Sequence, residues 1–134
     1  MAIRQRVSLY FVQDDRLLLI YRWKNGRSFH VLPGGGVEPG ETLLEAALRE
    51  AKEETNFEIE LGPLLWQREP DAINEEFAYL VKDYTGDLKL GGPEAANQSP
   101  TNIYRLEWVP LSNIEQMDVW PGPVHVDVLR NAMQ

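Results

Sequence analysis

Between residues 34 and 57 a run of three glycines opens onto a helical pattern that carries a cluster of carboxylates, and this stretch constrains the chain more than any other. Gly34, Gly35 and Gly36 permit dihedrals and a close backbone approach that side chains forbid. Thr42 and Glu45 have the spacing of a capping box, and Leu44, Ala47, Leu48 and Ala51 recur at helical intervals. A helix is therefore expected from Thr42 to Thr55, with that apolar stripe turned to the core. Glu50, Glu53 and Glu54 then stand at i, i+3 and i+4 and share one helix face. Like charges so close repel unless a cation neutralises them, and oxygen donors at that density suit Mg²⁺ or Mn²⁺. By themselves three glutamates would read as a solvated face, since Glu is a good helix former. The glycine loop ahead of them favours a site.

The remaining composition sets outer bounds. A length of 134 residues suggests one domain, residues 1–134, and 43% hydrophobic residues suffice for a core. There is no cysteine, so disulfides, thiol nucleophiles and thiolate metal sites are excluded. No apolar run reaches the length of a membrane span, and the first residues lack a signal-type apolar region, so a cytoplasmic protein with no membrane partner is expected. The net charge of −8 disfavours a large nucleic-acid partner. It also repels a free phosphate compound, a conflict that a bound divalent ion resolves locally.

Along the chain, Val7 to Val12 and Leu17 to Tyr21 read as the two arms of a hairpin about residues 13–16. Asn25-Gly26 marks a turn, and Phe29 to Leu32 a strand leading into the glycines. Ile59 to Gln67 reads as a strand broken at Gly62-Pro63, Glu75 to Val81 as another, and Ile103 to Val109 as the last. Residues 83–101 form a long loop rich in Gly, Pro, Asn and Ser, of the kind that is usually functional. Leu111 to Met117 and Pro123 to Met133 are expected as helices, with Val126, Leu129 and Arg130 on one face of the second. The alternation of strands and helices indicates an α/β architecture.

The stretch from Gly35 resembles the Nudix box, Gly-x5-Glu-x7-Arg-Glu-U-x-Glu-Glu-x-Gly-U, with U a bulky aliphatic residue. Gly35, Glu41, Arg49-Glu50, Glu53-Glu54 and Phe57 fall in register. Ala51 stands in place of a larger aliphatic residue, and Asn56 in place of the last glycine. Asn tolerates the left-handed conformation that a helix cap requires, and Ala51 bears only on packing. The resemblance implies the Nudix α/β/α sandwich with a mixed central sheet. It implies that Glu50, Glu53 and Glu54, with the main-chain carbonyl of Gly34, ligate Mg²⁺ or Mn²⁺. It implies metal-assisted attack of water on a pyrophosphate, with Glu50 or Glu53 as candidate base. Arg49 would orient a box glutamate, Glu41 among them, and Glu41 would hold the junction between loop and helix. The implied substrate is a small nucleotide-type molecule, a nucleoside diphosphate linked to a group X. Family members often form dimers.

Outside the box, Glu94 is the candidate for an additional base, because it follows Gly91-Gly92-Pro93 in the long loop. Glu76 and Glu107 fall in strands where alternation would turn them to solvent. Trp23 is the candidate wall for a base, ahead of Phe29, Tyr79 and Trp108. Arg22 and Arg27 are candidates for holding phosphates. His30 is expected to pack or hydrogen-bond at a strand end, and His125 to lie on a helix. Two other readings compete. A non-catalytic nucleotide sensor would not need the full carboxylate set, and this length leaves no room for a DNA-binding module. The isoprenoid diphosphate isomerase branch uses a cysteine that this chain does not have. The proline, tyrosine and upstream signatures that mark ADP-ribose, dinucleoside polyphosphate and coenzyme A subfamilies are not found at matching positions. Nucleoside triphosphates, ADP-ribose, nucleotide sugars and dinucleoside polyphosphates therefore stay open.

Overall fold

The computed structural model describes residues 3–91 and 98–134. Its strands are β1 Arg4–Tyr10, β2 Val12–Gln13, β3 Arg16–Lys24, β4 Arg27–Val31, β5 Gly34–Gly36, β6 Glu58–Arg68, β7 Asn74–Thr85, β8 Asn102–Pro110 and β9 Val119–Trp120. The helices described are α1 Leu43–Thr55, α2 Leu111–Ile114 and α3 Val126–Ala132. One sheet has the order β5-β1-β7-β6; the other runs β2-β3-β4-β9, with β8 on the free side of β3. Both are mixed, because β1 pairs parallel with β7 and β4 parallel with β9.

Strand alternation accounts for the layers. Val7 and Leu9 of β1 and Leu18 of β3 pack beneath α1 against Ala46, Ala47 and Ala51. Their neighbours Tyr10, Leu17 and Leu19 face the opposite side, where Ile114, Val126 and Leu129 of α2 and α3 cover them. Both faces of the strand layer are thus buried, which is an α/β/α sandwich.

Two tight turns follow from local chemistry. Asp14 and Asp15 (φ 52° and 61°) join β2 to β3, and Asn25 and Gly26 (φ 50° and 85°) join β3 to β4. Positive φ at both central residues matches the right-handed twist of hairpin arms. The first hairpin is smaller than the sequence suggests. Only β2 pairs with β3, while β1 belongs to the other sheet and takes β7 and β5 as neighbours.

The helix α1 has the expected cap. Thr42 accepts from the Glu45 amide and Glu45 from the Thr42 amide, and Asn56 ends it in the left-handed conformation at φ 70°. Its buried face is rotated from the expected stripe. Ala46, Ala47 and Ala51 are buried, whereas Leu44 and Leu48 are 51% and 40% exposed. Small residues let α1 lie close to the sheet, and Leu44 and Leu48 fall outside that seam.

Further along, the Gly62-Pro63 break is a set of register slips inside one continuous strand, β6. The long loop begins later than expected, because β7 continues to Thr85. The two C-terminal helices are shorter than their sequence patterns. Val126 and Leu129 are buried, while Arg130 reaches out to Asp15 at 3.2 Å.

Candidate active site

The geometry begins at β5. Leu9 donates its amide to the Pro33 carbonyl and Val37 donates to that of Gln5, so in this antiparallel ladder the amide groups of Gly34 and Gly36 point away from β1. They meet α1. The Gly34 N–H donates to Glu54 Oε1 at 3.0 Å, and the Gly36 carbonyl accepts from Arg49 Nη2 at 2.9 Å. Between them, a Cβ at Gly35 would lie 2.5–2.7 Å from the Glu50 carboxyl atoms. Gly35 is therefore the space that Glu50 occupies.

Arg49 organises this junction. Its Nε and Nη2 donate to the two oxygens of Glu41 at 2.8 Å each. Its Nη1 donates to Glu50 at 2.8 Å and to Glu53 at 3.4 Å. The fork and the Glu38 amide hold the Glu41 carboxyl down at about 2 from an ordinary 4.5. Burial pushes Glu50 the other way, above the usual carboxylate range, against the opposing pull of Arg49. Glu54 is almost fully buried.

Among the described residues no three His, Asp or Glu side chains converge tightly enough to hold an ion as they stand. Glu50 and Glu54 lie within hydrogen-bonding reach of each other, and Glu53 is turned toward Arg49. The donor set nonetheless fits Mg²⁺ or Mn²⁺ chemically. It is all oxygen, one carboxylate sits in a cradle that only glycine leaves open, and another is buried beside a backbone turned toward it.

Glu54 and Gly34 also line a cavity of about 160 Å³. Arg6 enters it from the first sheet, Ile20, Arg22, Val31 and Tyr104 from the second, and Trp120 and Pro121 from the chain after α2. Arg22 lies over the Tyr104 ring at 3.9 Å and donates to Asn102 at 3.3 Å. Its Nε is buried without a hydrogen-bond partner. A neighbouring cleft of about 380 Å³ is lined by Arg27, Phe29, His30, Asp118 and Trp120.

The structure thus brings Gly34, Arg49, Glu50, Glu53 and Glu54 together, with Arg22 across the cavity and Arg27 in the adjoining cleft. Trp23 is not among them. It is in register with Ser28 and Ile103, on the face of the second sheet opposite Arg22. Tyr104 and Trp120 supply aromatic surface instead, and no local signal distinguished them. Glu94 lies outside the described residues, although Gly91, three positions earlier, lies against the Glu53 backbone carbonyl.

Glu76 differs most from its expectation. It is fully buried, not solvent-facing, with its carboxylate held by Arg6 and Ser8. Glu107 is partly exposed and bonded to His30 at 3.0 Å and Arg105 at 2.9 Å. Burial raises its carboxyl, but those two partners outweigh it and the net shift is downward.

The NUDIX domain model matches residues 2–127. The chain belongs to the NUDIX family. The Nudix hydrolase YvcI of Bacillus subtilis, itself uncharacterized, is 29% identical over 136 residues, covering 94% of this chain and 78% of its own. The human 8-oxo-dGDP phosphatase NUDT18 is 29% identical over 109 residues, 81% of this chain but 32% of its own length. The ADP-ribose pyrophosphatase of Methanocaldococcus jannaschii is 36% identical over 85 residues, 59% of this chain and 50% of its own. Among solved structures, the E. coli ORF135 protein matches with a TM-score of 0.68 at 26% identity, covering 90% of this chain and 83% of that one. Its Nudix hydrolase relatives support an enzyme that hydrolyses phosphorus-containing acid anhydrides.

Proposed function

We propose that the protein is a divalent-metal-dependent pyrophosphohydrolase that cleaves the diphosphate bond of a nucleoside diphosphate linked to a further group X. One observation carries this reading. The buried box glutamate Glu54, held by the Gly34 amide, lines the same cavity as Arg22, Tyr104 and Trp120. A box carboxylate, cations and aromatic surface around one cavity match the parts of such a substrate: the bridging phosphates and a base.

Glu50, Glu53, Glu54 and the Gly34 carbonyl would hold Mg²⁺ or Mn²⁺. When bound, the ion polarises a phosphoryl oxygen and lowers the pKa of water at the site. The protein's own groups do the rest. Arg49 ties Glu41, Glu50 and the Gly36 carbonyl into one unit, which fixes the carboxylates before substrate arrives. Arg22 binds a phosphate oxygen, with its guanidinium braced on Tyr104. Arg27 serves the distal end of the substrate from the adjoining cleft. Tyr104 and Trp120 stack the base, a role their position favours over Trp23. Glu53 is the most exposed of the three box carboxylates and takes the proton of the attacking water, with Glu50 and Glu94 as the other candidates. A cysteine-free chain suits the reducing cytoplasm.

The test is a screen of purified protein with Mg²⁺ against nucleoside triphosphates, 8-oxo-dGDP, ADP-ribose, nucleotide sugars and dinucleoside polyphosphates. Turnover of one class with release of a nucleotide product is expected. Binding of those compounds without turnover at any metal concentration would favour a sensor.

A further inference from the structure

We propose that Arg6 is a phosphate-binding residue of this site and that the buried Glu76 positions it; the assignment rests on the reading of the cavity as a site for a diphosphate-linked nucleotide. The parallel register of β1 and β7 sets Arg6 opposite Glu76 and puts Ser8 on the same face. Glu76 is 0% exposed. Its Oε1 accepts from Arg6 Nε at 2.6 Å and its Oε2 from Ser8 Oγ at 2.8 Å.

The division of those bonds is informative. Arginine frequently binds a carboxylate through two parallel N–H groups. Here Ser8 takes the second oxygen, and Arg6 engages Glu76 through Nε alone. Among the described residues, the two terminal nitrogens of Arg6 have no hydrogen-bond partner. The side chain is 23% exposed and lines the cavity beside Gly34 and Glu54.

Stability alone does not explain the arrangement. Apolar residues of similar volume replace a buried ion pair at little or no cost, so such a pair is weak evidence of a stabilising role. What Glu76 and Ser8 add is a direction for the guanidinium. Arg6 belongs to the first sheet and Arg22 to the second, so the cavity has a cation on either side. In a molecule of net charge −8, two arginines around one cavity create local attraction for an anion. The fork of free nitrogens on Arg6 suits paired phosphate oxygens.

The test measures binding of inorganic pyrophosphate with Mg²⁺ by calorimetry on the full chain, together with melting temperature and steady-state kinetics. Arg6→Lys keeps a charge beside Glu76 but loses the fork. The triple variant Arg6→Met/Ser8→Ala/Glu76→Leu removes both charges together with the buried hydroxyl that bonds Glu76, so none of the three positions is left with an unpaired buried group. Both are expected to bind pyrophosphate about ten- to a hundredfold more weakly, the span of one lost charge-assisted hydrogen bond. Glu76→Gln, with Arg6 untouched, is expected to raise KM several-fold with a smaller change in kcat. A folded Arg6 variant that binds pyrophosphate as tightly as the wild type would overturn the proposal, and so would a wild type that does not bind it. Failure of the wild type to turn over any nucleotide, with Arg6-dependent pyrophosphate binding intact, would count against the hydrolytic reading and leave Arg6 in place. Normal turnover with unaffected Arg6 variants would do the reverse.

Discussion

At the scale of single residues, the box carboxylates and Glu41 behave differently under substitution. Glu53→Gln removes one charge and keeps shape, so the fold should persist while kcat falls by about two decades or more. If Glu94 rather than Glu53 supplies the base, Glu94→Gln should lower kcat but leave Mn²⁺ affinity almost unchanged, because a loop base need not hold the ion. Calorimetry and kinetics on the two variants separate ligand from base; near-normal kcat in both would refute both roles. Glu41 gives a pH prediction. Its folded value of about 2 lies below the ordinary 4.5, so its link to Arg49 contributes stability above 4.5 and loses it as pH falls toward 2. An acid-unfolding comparison should show Glu41→Gln less stable than the wild type above pH 4.5, with the gap closing toward pH 2. A gap that widened with acid would contradict the pairing. The partnership of Arg49 with Glu41 was legible because both lie in one short motif. Glu76 was not. Its burial depends on Arg6 and Ser8, some seventy positions away, and strand alternation alone gives no clue to which face water reaches.

At the scale of elements, β5 and α1 depend on neighbouring glycines for different reasons. Gly34 has φ 147°, and a Cβ there would overlap the Val7 carbonyl of β1. Gly34→Ala should therefore cost several degrees of melting temperature or prevent folding. At Gly35 the obstacle is the Glu50 carboxyl, the end of a side chain that can swing aside. Gly35→Ala should melt near the wild type yet lose activity and Mn²⁺ affinity, because the displaced group belongs to the box. Thermal melts and calorimetry on the pair provide the check, and equal melting losses would show that Gly35 serves the backbone alone. The ends of α1 were readable, since Thr42, Glu45 and Asn56 act through bonds within the helix termini. Its buried face was not. Leucine and alanine score alike as apolar, and only the sheet selects the alanines for close approach.

At the scale of the whole molecule, the pairing of strands distant in sequence is what local patterns leave out. The two-residue turns at Asp14-Asp15 and Asn25-Gly26 announce themselves, but the parallel pairing of β1 with β7 brings together segments about seventy residues apart. That pairing completes the sheet on which β5 and the box are built. In a molecule of net charge −8, α1 also gathers three carboxylates, Glu50, Glu53 and Glu54, on one face. Their repulsion lowers stability until a cation offsets it, so ion binding and folding are linked. Mg²⁺ or Mn²⁺ at about a hundred times its dissociation constant should stabilise the fold by about 2.7 kcal/mol, a rise of several degrees in melting temperature. Chelator should abolish both the rise and the turnover. Glu53→Gln and Glu54→Gln should melt at or above the wild type without metal, since repulsion is relieved, and should gain little when it is added. A melting temperature indifferent to Mn²⁺ in the wild type, or full turnover in excess EDTA, would remove the ion from the mechanism and leave the carboxylate cluster without a physical reason.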